Sequence, residues 1–186
     1  TGMLLLIVIY YVNAKILMID KSINENITSL MGIAISVFSI IGSWLIYDLI
    51  CKSKLINYKI IFTTTLFIIG VVISFALTKI FGSRFSFLSV GIILGCIMFF
   101  NVFTVIIPNQ KNIVSSALNE TKFDLSLSIK AKTRSVHNNI ITFLVLFVML
   151  SGHFSFIWIS HYNWIILSFI AVISGFFRYY FNLRNQ

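Results

Sequence analysis

The feature that most limits this chain is a series of apolar runs, most near twenty residues, separated by short polar segments. Wound as an α-helix, such a run spans the ~30 Å hydrocarbon layer of a bilayer. Six can be marked off, at residues 2–14, 30–50, 60–77, 87–107, 140–159 and 163–181. Stretches such as Ile140–Leu150 are apolar almost all round, which excludes the apolar/polar alternation of barrel strands. A helix also satisfies its backbone within one segment, as lipid demands. The expected fold is all-α, a polytopic transmembrane bundle of about six helices with the lipid bilayer as its medium. Residues 108–139 form the only long polar stretch and are predicted to be a loop. Within it, Ser115–Lys132 is expected to lie on the membrane surface as a short amphipathic helix.

Charge supports the same reading. Only 10% of the residues are charged, against about 25% in a soluble domain. The net charge of +9 would suit a nucleic-acid binder if it formed one dense face, but the basic residues sit at the ends of apolar runs. Counted by side, ten fall on one: Lys52, Lys54, Lys59, Lys111, Lys122, Lys130, Lys132, Arg134, Arg178 and Arg184. Four fall on the other, namely Lys15, Lys21, Lys79 and Arg84. This asymmetry predicts that the 108–139 segment is cytoplasmic. Thr1-Gly2-Met3 runs into LLLIVIYYV without a charged leader or cleavage site, so the chain reads as cut through a helix at its amino end. Tyr47, Tyr58, Trp158 and Trp164 lie near predicted helix ends, where amphipathic rings favour the interface.

Polar groups at membrane depth need partners, and these are the residues that could carry chemistry. Asn101 lies in the fourth span, seven residues before Pro108 and on nearly the same face of a straight helix; it either bonds a neighbouring helix or lines a polar cavity. Pro108 is predicted to end that helix, leaving Asn109, Gln110 and Lys111 at its mouth to cap it or to bind an anionic or amide-bearing ligand. Arg134, His137, Asn138 and Asn139 precede the fifth span. A guanidinium fork, an imidazole and two amides at one helix start suit a planar polar anion, and equally an ordinary basic, capped start. His153 follows His137 by sixteen residues, about 24 Å on a straight helix, so the two cannot share a metal. It is either an interface histidine or a haem b ligand whose partner histidine lies elsewhere. Asp48 is within (i, i+4) reach of Lys52, which suffices to explain it. Cys51 and Cys96 form no CxxCH, so no haem is attached covalently in this chain. No P-loop, HExxH, G-x-S-x-G or dinucleotide fingerprint occurs.

Several blocks carry a family resemblance: NVFTVIIPNQK (101–111), RSVHNN (134–139), SGHF (151–154) and YNW (162–164), with TGMLLLIVIYY (1–11) and WLIYDLICKS (44–53) before them. In this order they resemble the bacterial membrane-bound urate hydroxylases (PuuD), whose membrane portion is the urate oxidase N-terminal domain. The resemblance implies an oxidoreductase of the bacterial inner membrane that turns urate into 5-hydroxyisourate in purine degradation. It also implies that electrons pass to a c-type haem on a cytochrome c domain, or to another respiratory electron acceptor, outside this chain. By the same resemblance Arg134 and Gln110 would recognise urate, with Asn101, Asn109, Asn138 and Asn139 lining its site. His137 would accept a proton, and His153 would be a redox-side or structural group. The chain departs from the family pattern at Gly152, where members carry Asn, and at Leu144, where members carry Pro. Two other functions suit such a chain: a non-catalytic membrane anchor or electron conduit, and a transporter of a purine-like anion. The transporter lacks support from paired repeats or broken helices.

Overall fold

The computed structural model describes residues 8–23, 26–119, 124–159 and 162–184, and no strand occurs among them. The long helices are α1 (Ser29–Lys52), α2 (Lys59–Ile80), α3 (Ser83–Asn101), α4 (Ile107–Leu118), α5 (Leu125–Ser151) and α6 (Asn163–Arg184). A π turn, Val102–Ile106, joins α3 to α4. Ahead of them residues 8–12 and Ala14–Leu17 are helical; the part of the expected first span before residue 8 lies outside the described residues. Four stretches are long and apolar enough to cross a membrane: Ser29–Lys52, Lys59–Ile80, Ser83–Leu118 and Leu125–Ser151. Asn163–Phe177 is a shorter apolar helix.

The outward faces identify the solvent. Phe38 is 75% exposed and Ile60 83%, with Val72 and Leu150 also turned out. Water would not tolerate apolar faces of this extent on a monomer, and lipid does. The chain is a multi-pass membrane protein of the all-α class.

With lipid outside, packing between helices depends on shape and small side chains. The central helix, α3, touches α1, α2, α5 and α6. Its buried positions include Ser86, Ser89 and Gly91 beside Phe85, Phe87 and Ile93. The serine hydroxyls bond back to their own helix, Ser89 Oγ to the Phe85 carbonyl at 2.7 Å, so each is satisfied without a partner helix. At Gly91 the two helices pack tightly: a Cβ there would lie 2.7 Å from Cγ1 of Val148 on α5. The segment before α1 closes one end, with Met18 fully buried and its carbonyl accepting the Gly82 N–H at 3.0 Å. The Phe81 and Phe85 rings meet edge to face beneath it.

Several helix boundaries differ from the sequence-based expectation. Pro108 does not end its helix, which continues to Leu118. Proline lacks an N–H, and its ring crowds the carbonyl four residues back, here Thr104. Widening the preceding turn, with the Ile107 N–H reaching the Val102 carbonyl, makes room for the ring at the start of α4. Residues 108–139 are therefore largely a helical hairpin of α4 and the first turns of α5, not a loop. The expected surface helix over Ser115–Lys132 is broken at Asn119, and α5 starts at Leu125 instead of 140. Asp124 caps that start: its carboxylate accepts the Ser126 N–H at 2.8 Å, and bonds from Ser126 hold it below the usual carboxylate range. From Ser83 to Leu118 the chain rises about 54 Å at 1.5 Å per residue, well beyond a ~30 Å layer, so α4 stands outside the hydrocarbon.

At its other end α5 stops at Ser151, short of the predicted residue 159. Gly152 is a weak helix former, and the N–H groups of His153 and Phe154 bond three residues back, tightening the last turn. A single turn, Ser155–Trp158, follows.

The Gly91–Val148 contact is directly testable. Gly91→Ala should cost about 1–3 kcal/mol through overpacking against a stiff β-branched side chain. Val148→Ala in the same chain should recover much of that loss, read as the thermal midpoint in detergent. Additive losses would show that the two helices do not meet there.

Candidate functional site

Near the Lys52 end of α1, six polar side chains from three helices meet inside the bundle. Tyr47 and Asp48 come from the last turns of α1, and Asn101 is the last residue of α3. Arg134, His137 and Asn138 are spaced i, i+3, i+4 on α5 and so share one face. Asn101 is 1% exposed, Tyr47 4% and Arg134 6%.

The hydrogen bonds leave little freedom in how these groups are oriented. A guanidinium has donors only. Arg134 donates from Nη2 to Asp48 Oδ1 at 2.6 Å and from Nη1 to Asn101 Oδ1 at 3.1 Å, while its Cζ lies 4.9 Å from the Tyr47 ring centroid. The Asn101 oxygen must then be the acceptor, so its amide nitrogen donates to Tyr47 Oη at 3.1 Å and to Asn138 Oδ1 at 2.9 Å. Asn138 in turn donates to the Met98 carbonyl at 3.1 Å. Tyr47 Oη lies 2.9 Å from His137 Nδ1. The His137 ring stacks on buried Phe62 of α2, centroids 5.1 Å apart, and meets the Tyr47 ring edge to face at 6.1 Å. Asp48 uses its second oxygen for Lys52 Nζ, 2.5 Å away, and Lys52 is 70% exposed. The ion pair is thus buried at its arginine end and open to solvent at its lysine end.

Of the residues singled out in the sequence, Asn101, Arg134, His137 and Asn138 come together here. Asn109 and Gln110 do not. The π turn takes up an extra residue, so Asn101 and Pro108 do not share a face: Asn101 is buried and Pro108 exposed. Asn109 is half-buried further along α4 and makes no hydrogen bond to this network. Gln110 borders a shallow groove of about 510 Å³ between α4 and α5, with Ser128, Lys132 and Ser135 on its other wall. Asn139 is exposed. His153 is exposed in the turn after α5, at the opposite end from His137, and His161 lies outside the described residues. A haem held between two described histidines therefore does not fit. No group of three or more His, Cys, Asp or Glu comes together among the described residues.

Tyr47, Asp48 and Phe62 belong to this cluster although sequence reasoning passed them over. The available signal was Tyr47-Asp48 itself, a phenol and a carboxylate in adjacent positions near the end of an apolar helix. Each had a local explanation, as interface ring and as Lys52 partner, that hid the long-range one.

Fold and site together define a multi-pass helical membrane protein with a buried, histidine-bearing polar cluster at one end of its bundle. The chain belongs to the urate oxidase N-terminal family, whose pattern matches residues 1–186. Neither the comparison with curated proteins nor that with solved structures gives a match.

The ion pair makes an asymmetric prediction. Asp48→Leu strands a buried guanidinium and should cost about 3–5 kcal/mol. Arg134→Met leaves Asp48 with Lys52 and should cost less, and the double variant should regain much of the larger loss. Thermal midpoints in detergent check the order; equal losses for the two single variants would contradict it.

Proposed function

We propose that this chain is the membrane domain of an oxidoreductase that oxidises urate, converting it to 5-hydroxyisourate. The observation that carries the reading is that the family match covers the whole chain and that the bundle gathers Arg134, Asn101, His137 and Asn138 into one buried cluster. The electrons would leave to a c-type haem on a cytochrome c domain or to another respiratory acceptor. The single cysteines Cys51 and Cys96 offer no attachment for that haem here. The basic end of the bundle, with Lys52, Lys54, Lys59, Lys130 and Lys132, would face the cytoplasm of a bacterial cell across its inner membrane.

Within that reading Arg134 and Asp48 are positioning residues. Their charges satisfy one another, and the guanidinium donates to Asp48 and Asn101 from its two terminal nitrogens while its Cζ lies over the Tyr47 ring. His137 is the group of the cluster that keeps a free ring nitrogen, Nε2 having no hydrogen-bond partner among the described residues. We assign His137 to the contact with urate and the remaining residues to holding it in place.

Urate-dependent reduction of an added electron acceptor by membranes containing the full protein tests this. His137→Ala should lower the rate about 100-fold or more, the scale of a lost positioned proton-transfer or hydrogen-bonding group. Lys52→Ala, at the exposed rim, should leave the rate within a few-fold. Wild-type membranes that bind urate without reducing any acceptor would instead favour a transporter or an electron-conduit role.

A further inference from the structure

We infer that Tyr47 fixes the tautomer of His137, so that the site presents an Nε2–H to its ligand and takes a hydrogen-bond acceptor there, a carbonyl oxygen or oxyanion. The identity of the ligand rests on the function proposed above; the tautomer does not.

The donors and acceptors along one chain of contacts fix the tautomer. Arg134 can only donate, so Asn101 Oδ1 accepts at 3.1 Å. Both hydrogens of the Asn101 amide nitrogen then have acceptors, Asn138 Oδ1 and Tyr47 Oη. Tyr47 Oη receives one hydrogen and has one of its own to place. The acceptor within hydrogen-bond distance is His137 Nδ1, at 2.9 Å. The Cys51 thiol, one turn along α1, is a much weaker acceptor. If Nδ1 carried the hydrogen, the Tyr47 oxygen would face two donors and its own O–H would be left without a good acceptor inside the bundle, which is costly. With the Tyr47 O–H donated to Nδ1, a neutral imidazole carries its proton on Nε2. The Phe62 face and the Tyr47 edge hold the ring plane, so this N–H has one direction.

This role differs from that of a proton acceptor. In this tautomer Nε2 has no lone pair to offer, and His137 anchors an acceptor atom on the ligand. Cyclic imide and urea carbonyls, or the oxyanion of a deprotonated purine dione, are the chemical class that fits. Tyr47 does not touch the ligand; it is a positioning residue acting through His137.

The test has two independent arms. In the full protein, labelled with ¹⁵N-histidine and held in detergent, residues 1–186 contribute three histidines, and the His137 signals are picked out by their loss in His137→Gln. Neutral His137 should show the nitrogen shifts of the Nε2–H tautomer, and Tyr47→Phe should move them toward a mixture. An Nδ1–H signature in the wild-type protein overturns the inference whether or not urate is the substrate, and needs no variant beyond the one used for assignment. In the second arm, His137→Gln keeps an N–H donor near the Nε2 position, whereas His137→Ala does not. Urate turnover in His137→Gln should stay within about tenfold of wild type while His137→Ala loses it. Equal loss in both overturns the donor role, and absence of turnover in the wild type overturns the proposed function while leaving the first arm intact.

Discussion

A guanidinium that can only give hydrogen bonds, buried where little water can take them, is the constraint from which the rest of this bundle end is ordered. Arg134 sits at 6% exposure between a carboxylate, an amide oxygen and an aromatic face. Each of those three groups is forced into a role by it. Asp48 supplies the countercharge without which the cation would be very expensive to bury. Asn101 is turned so that its oxygen faces α5, which sends its nitrogen toward Tyr47 and Asn138. Because the bonds run through α1, α3 and α5, the same network ties three helices that lipid alone would give little reason to associate.

The apolar scaffold sets where that network can form. Gly91 lets α3 and α5 approach until a methyl group would no longer fit between them, ten residues before Asn101 on α3, where it meets Val148, fourteen residues after Arg134 on α5. Beyond Asn101 the π turn lets the helix pass Pro108 and continue as α4, which packs along the start of α5. The stretch of α5 that carries Arg134, His137 and Asn138 is thus braced by α3 on one side and by the hairpin with α4 beyond the membrane. A chain end fraying at residue 134, as a loop through 139 would have required, could not hold a buried cation.

What the sequence made legible follows the same physics. Apolar runs of membrane length are a property of each segment alone, so the helical class and the extents of helices α1, α2 and α6 are read from local composition. The membrane cannot see the difference between a loop and a polar helix outside it, so residues 108–139 looked like the former. Pro108 reads as a terminator locally, and only the π turn, a backbone adjustment with no composition of its own, turns it into a passing point. In the site, Asn101, Arg134, His137 and Asn138 stood out because each is polar at or near membrane depth. Tyr47 and Asp48 are just as polar, but the interface and Lys52 already accounted for them. Recognising that Arg134, 86 positions away from Asp48, supplies its second partner needs the tertiary fold.

Few groups of the cluster are left to meet a ligand. Read from the sequence, an arginine just before an apolar span suggests anion recognition. Here its strongest donors are already engaged inside the protein, and withdrawing them to bind an external anion would strand Asp48 and unsatisfy Asn101 together. The cost of that exchange, several kilocalories per mole on the scale of a broken buried pair, exceeds what a single anion contact returns. Recognition therefore passes to the end of the chain of bonds. His137 is held at Nδ1 by Tyr47 and on one face by Phe62, and its remaining nitrogen is the one polar atom of the ring that the fold leaves without a partner among the described residues. A buried charge that never touches the ligand can thus decide, through three hydrogen bonds to His137, whether the ligand meets a donor or an acceptor.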